Sequence, residues 1–184
     1  MPIPAKLLNG THREYTIGHL IESTAADPTM PQERRLLGLV LPPWQRHEVW
    51  AVEQKRRFVE GIFLGLGCGY YVTNGLNWID GKDGKAESAP MSGWLLDGQQ
   101  RIAALRDFLA DDLVIFGDVK FSSLSQKEAL RFKRENFSCF EIDYTDNEDV
   151  LKELYDRLNF GGVAHTLDQR VKQSPVLTSE RNGS

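Results

Sequence analysis

The run Leu95-Leu96-Asp97-Gly98-Gln99-Gln100-Arg101-Ile102-Ala103-Ala104-Leu105 constrains this chain more than any other segment. A short apolar strand enters a polar knot there and leaves it as a helix. Gly98 permits a backbone angle closed to other residues, and the helix that follows offers free amide groups and a partial positive charge at its N-terminus. Arg101 adds a fixed charge with forked donors suited to phosphate oxygens. Asp97 could hold a metal or a water, while Gln99 and Gln100 could orient a water or read a base or sugar. The residues are also compatible with a plainer arrangement, in which Asp97 caps the helix and Arg101 pairs with a nearby acid.

At 184 residues the chain is long enough to bury a core without metal or disulfide staples. No apolar stretch approaches a bilayer span and the N-terminus lacks the order of a secretory signal, so a cytoplasmic protein without membrane contact is expected. A net charge of −4 disfavours a protein that grips nucleic acid through its phosphates. Cys68 and Cys139, the 2 cysteines, lack metal-ligand spacing and read as buried free thiols. The 4 histidines show no helical pairing of the kind zinc requires.

The spacing of apolar residues predicts a short helix over 15–23, a strand over 36–41 and a long helix over 48–66. Strands follow at 70–73 and 94–96, with a hairpin or long loop over 77–92 between them, and a helix over 100–109. Further on, a short strand is expected at 114–116. A helix should start at the Ser125/Glu128 capping box, a strand should span 137–144, and a last helix should open at a Thr145/Glu148 capping box and close at Gly161-Gly162. Gly65, Gly67 and Gly69 follow a helix and precede a strand, the reverse of the order a phosphate cradle needs. Interleaved strands and helices predict one α/β (α+β) domain.

Three segments carry a resemblance. LLDGQQRIAAL resembles the DGQQR motif of the ParB/sulfiredoxin-like domain at the N-terminal end of GmrSD-type restriction endonucleases and related defence proteins. Pro43-Trp44-Gln45-Arg46-His47-Glu48-Val49-Trp50 is similar to that family's opening element, and Tyr155-Asp156-Arg157-Leu158-Asn159-Phe160-Gly161-Gly162-Val163 to its closing one. The resemblance implies a mixed sheet flanked by helices, with the three segments meeting at one cleft. It marks 36–170 as a nucleotide-binding domain, while weak periodicity reads 1–35 as an N-terminal arm and short helix and 171–184 as a mobile tail.

The same resemblance implies a nucleoside triphosphate, GTP or ATP before CTP, hydrolysed with Mg2+. Asp97, Gln99, Gln100 and Arg101 would be the catalytic set, with Asp97 the metal ligand. Gln45, Arg46, Gly98, Arg157, Asn159, Gly161 and Gly162 would bind the nucleotide. Trp44 and Trp50 are more simply core residues than base-stacking platforms. The restriction enzymes carry a C-terminal nuclease for which this chain has no room, so a free-standing module of phage or mobile-element origin is expected, acting in defence or counter-defence. Two further readings stay open. One is a regulator or decoy that engages a host or restriction-system protein without catalysis. The other, less favoured, is a DNA-binding or nicking protein.

Overall fold

The computed structural model describes residues 6–23 and 30–160. Four strands form the main sheet in the order β1 (Gly10–Arg13), β8 (Ser138–Ile142), β4 (Tyr70–Thr73), β7 (Leu95–Asp97). β8 runs parallel to β4 and the two outer pairings are antiparallel, so the sheet is mixed. Strands β8, β4 and β7 obey the alternation of a sheet with both faces covered. Tyr71, Leu95 and Cys139 enter one hydrophobic cluster, whereas Val72, Leu96 and Ile142 enter the other.

The first cluster lies under α1 (Ile17–Glu22), α2 (Val52–Phe63), α3 (Gln99–Leu109) and α4 (Gln126–Arg134). α3 is its centre, since Ile102, Ala103, Ala104, Leu105 and Phe108 have no exposed surface. α5 (Glu148–Phe160) covers the other face through Leu151 and Leu154, next to β7. This is the single α/β domain that the interleaved pattern predicts.

β1 lies at the edge of the sheet with its residues exposed, and α1 falls within the short helix expected over 15–23, enclosing Ile17 and Leu20. The expected mobile tail over 171–184 lies outside the described residues.

Where the elements differ from the sequence expectation, a local contact explains it. The apolar run 36–41 is a tight hairpin of β2 (Arg35–Leu36) and β3 (Leu39–Val40), not one strand. Leu37 takes a left-handed φ of 51° and Gly38 packs against Ser23 where a Cβ would meet atoms at 2.6 Å. The reversal sends Leu36 to one cluster and Val40 to the other.

Residues 114–116 form no strand, because Phe116 and Gly117 turn the chain with φ of 47° and 93° and leave one bridge between Ile115 and Val119. The hairpin over 77–92 forms from β5 (Trp78–Asp80) and β6 (Ala86–Ser88). The Ser125/Glu128 capping box opens α4 as predicted. α5 is capped instead by Asn147, whose side-chain oxygen accepts from the amides of Asp149 and Val150, while Thr145 supports the Asn147 amide.

α2 starts four residues later than its apolar spacing predicts. Glu48 to Ala51 are not helical, because that stretch is bound sideways to α3.

Candidate functional site

β7 ends at Asp97 and α3 begins at Gln99, with Gly98 between them at φ 103°, ψ 0°. Gly98 has no side chain to cap the first turn of α3, no other described side chain is bonded there, and no acidic residue sits in that turn. The first amides of the helix and its positive end are therefore left to whatever lies beyond the turn. Beyond it is a cavity of about 330 Å³ lined by Asp97 to Arg101, by Arg46 and Trp50 on one side, and by Asn159 on the other. Arg101 donates to the Asp97 carboxylate at 2.9 Å, one helical turn back. Arg101 therefore pairs with an acid, as the plainer reading held, and it does so inside the cavity.

The wall formed by residues 46–50 is fastened by the two glutamines. Gln99 Nε2 donates to the Arg46 carbonyl at 3.1 Å, and Gln100 Oε1 accepts from the amides of Val49 and Trp50 at 2.9 and 3.0 Å. An extended segment with no sheet partner has its backbone satisfied this way. Asn159 closes the opposite side: its Nδ2 donates to the Leu96 carbonyl of β7 and to the Tyr155 carbonyl of its own helix.

Behind the wall lies a four-residue charge cluster that local sequence patterns do not reveal. Lys55 of α2 reaches Glu48 at 2.8 Å and Asp107 of α3 at 2.6 Å, and Arg106 binds the same two carboxylates. Burial alone would raise the Glu48 and Asp107 carboxyls, but hydrogen bonds and attraction from Lys55 and Arg106 prevail and hold both below their ordinary range. Burial likewise opposes the charge on Lys55, yet Asp107 and Glu48 push its pKa up. Glu48 belongs to the stretch that carries Arg46 and Trp50, so the cluster anchors one wall of the cavity to both helices.

The structure thus brings together Arg46, Asp97, Gly98, Gln99, Gln100, Arg101 and Asn159 of the residues singled out in the sequence. Gln45 is not among the lining residues. It is buried, its backbone N–H donating to the Pro42 carbonyl and its backbone carbonyl accepting from Arg34. Arg157 also stands apart: its side chain is 62% exposed and paired with Glu153 one turn earlier on α5. Gly161 and Gly162 lie outside the described residues. Trp50, whose spacing suggests a core position on α2, instead lines the cavity and meets Phe58 edge-on at 5.8 Å.

Among the described residues, Asp97 is the one carboxylate lining the cavity. Among the described residues no group of three His, Cys, Asp or Glu side chains could hold a metal by itself. Cys68 and Cys139 are buried free thiols, with burial pushing them up to about 12 and about 11, so neither supplies a thiolate near neutral pH. Among the same residues no helix is long and apolar enough to cross a membrane.

The family described as GmrSD restriction endonuclease, N-terminal domain, matches residues 30–170, which include α2, β7, α3 and α5 and with them every residue lining this cavity. The chain belongs to that family, and it is therefore a restriction-system, defence-related domain. No curated protein and no solved structure matches it.

Proposed function

We propose that the cavity at the β7–α3 junction binds the phosphates of a nucleoside triphosphate, making the domain a nucleotide-responsive part of a restriction system. The observation that carries this reading is the uncapped start of α3, turned by Gly98 toward a cavity that also holds Arg46 and Arg101. Helix amides, the helix dipole and two guanidinium groups are a natural set of partners for several negative charges. The volume falls at the small end of the range for ligand pockets, about 300–1,000 Å³.

Magnesium fits the donor set. The ion is commonly held by one or two carboxylates together with substrate phosphates, and Asp97 supplies one carboxylate whose oxygens can serve both Arg101 and a cation. When bound with the nucleotide, the ion would neutralise phosphate charge. The chain's own residues do the rest: Arg46 and Arg101 hold oxygens, the amides of the first turn of α3 orient them, and Gln99 and Gln100 keep the opposing wall in place.

Binding is the primary reading and turnover the secondary one. Nε2 of Gln99 and Oε1 of Gln100 are both engaged by backbone groups. That engagement gives these two atoms positioning work, and it is the positioning of the wall that binding requires. A regulator that engages a partner protein needs only the binding step, whereas the net charge of −4 gives DNA binding no support.

Calorimetric titration of the folded protein with ATP, GTP, CTP and UTP, with and without Mg2+, tests the proposal, and phosphate release in parallel separates turnover from binding. Saturable binding of at least one triphosphate, weaker for its monophosphate, is expected. Failure of all four to bind would overturn the reading.

A further inference from the structure

A second cavity, of about 260 Å³, lies on the α1 side of the sheet. Its floor comes from the carboxyl ends of two adjacent parallel strands: Tyr71 and Thr73 of β4 stand in register beside Cys139 and Glu141 of β8. Tyr15 and His19 contribute to its walls. Carboxyl ends of parallel strands are where ligands collect on open α/β sheets. The proposed nucleotide cavity does not use them, because it sits beyond β7, which is antiparallel to β4.

Three features define the chemistry of this cavity. Among the described residues, Glu141 is the one carboxylate lining it, and neither lysine nor arginine lines it. Burial first, and then the charge of Glu141, raise the Tyr15 hydroxyl. Burial is also the main cause for Tyr71 and for Cys139, which reaches about 11, so these groups stay uncharged. Finally, Tyr15 and His19 are stacked 3.9 Å apart at 18°, giving a flat aromatic surface. Among the described residues Glu141 pairs with Arg13 at the sheet edge, at only 3.6 Å, and Arg13 is half-exposed. Such a surface pair is weak and readily displaced.

We infer that this cavity binds a small planar organic cation of the guanidinium or amidinium type, with its charged edge on Glu141 and its face against the Tyr15 and His19 pair. A planar cation matches a carboxylate with paired hydrogen bonds and is attracted to an aromatic face. The Thr73 and Tyr71 hydroxyls offer further acceptors. The site shares no lining residue with the proposed nucleotide cavity, and Tyr71 stands between this cavity and Gly98. Its side chain lines this one, and its Cβ would lie 2.6 Å from a Cβ built on Gly98.

The test uses the full chain and two isosteric probes, benzamidine and neutral benzamide, followed by calorimetry. Benzamidine should bind saturably in the millimolar range or tighter, and benzamide about tenfold more weakly or worse. Glu141→Gln should weaken benzamidine by about tenfold or more, the loss expected for one charge-assisted contact. Arg13→Gln should strengthen it by removing the competing cation, and Asp97→Asn should leave it unchanged. Equal binding of the two probes, no saturable binding, an unaffected Glu141→Gln protein, or a loss caused by Asp97→Asn would each overturn the proposal. Should Glu141→Gln fail to fold, the probe comparison and the strengthening by Arg13→Gln still decide it.

Discussion

A Cβ on Gly98 would lie 2.6 Å from Tyr71 Cβ and 3.3 Å from Tyr71 Cα. The turn that ends β7 is thus packed flush against β4, and glycine is required there twice, for its left-handed φ and for its lack of a side chain. Gly117 has a similar φ of 93° with no atom within 4 Å of an added Cβ. Gly117→Ala should therefore cost only the backbone term, about 1–2 kcal/mol. Gly98→Ala should cost that plus overpacking, which alone is about 1–3 kcal/mol. Urea unfolding of the two variants checks the ordering, and equal midpoints would show that the contact with Tyr71 relaxes freely. The fold itself depends on this position, so substitutions at Gly98 cannot report on ligand binding alone.

The charge cluster sets a pH window for stability. Glu48 and Asp107 are held below their ordinary values of 4.5 and 3.8, so they contribute stability above those values that is lost as pH falls through the lower folded-state values. Lys55 is raised above 10.5, so its contribution is complete below that pH and fades as pH rises through the higher folded-state value. Lys55→Met should lower stability near neutral pH and flatten the alkaline loss relative to the unchanged protein. Denaturant midpoints across the pH range measure this. An alkaline limb unchanged by the substitution would remove Lys55 from the account.

Asp97 and Arg101 make opposite predictions for a triphosphate. Arg101→Ala should weaken binding by about tenfold or more, from the loss of a charge-assisted contact worth about 1.5–3 kcal/mol. Asp97→Asn removes a negative charge from the cavity, so it should strengthen binding without Mg2+ and weaken the advantage that Mg2+ confers. A fluorescent nucleotide titrated with and without Mg2+ reads both effects. Identical responses of the two variants would argue that the pair acts only as a structural tie.

Trp50 separates recognition of the base from recognition of the phosphates. If a base stacks on its ring, Trp50→Leu should cost about 1–3 kcal/mol of nucleotide affinity and leave the binding of inorganic tripolyphosphate unchanged. Equal losses for nucleotide and tripolyphosphate would mean that the substitution disturbs the wall as a whole.

Much of this was legible in the chain because it depends on local pattern. The strand, Gly98 and α3 follow one another in sequence, β-branched and aromatic residues marked β4, and alternation marked β8. Other features depend on contacts between distant residues. α2 begins late because Gln100 holds the amides of Val49 and Trp50 across 51 and 50 positions of sequence, which no helical periodicity can foretell. The same distance hides the Lys55 cluster. Arg157 shares a helix turn with Glu153, and its outward direction follows from the rotation of α5 against β7, which the motif alone does not fix. Leu36 to Leu41 is apolar throughout, so it offers no alternation by which to tell one strand from a reversal at Gly38.

The central claim is that triphosphate oxygens sit on the uncapped start of α3, and the backbone amides of Gln99, Gln100 and Arg101 report on it most directly. Nuclear magnetic resonance of the labelled protein, titrated with the triphosphate that binds best, should show large shifts and slowed hydrogen exchange at these three amides, with smaller changes at Arg46 and Asn159. Saturable binding that leaves the three amides unmoved, with its shifts clustered elsewhere, would contradict the account.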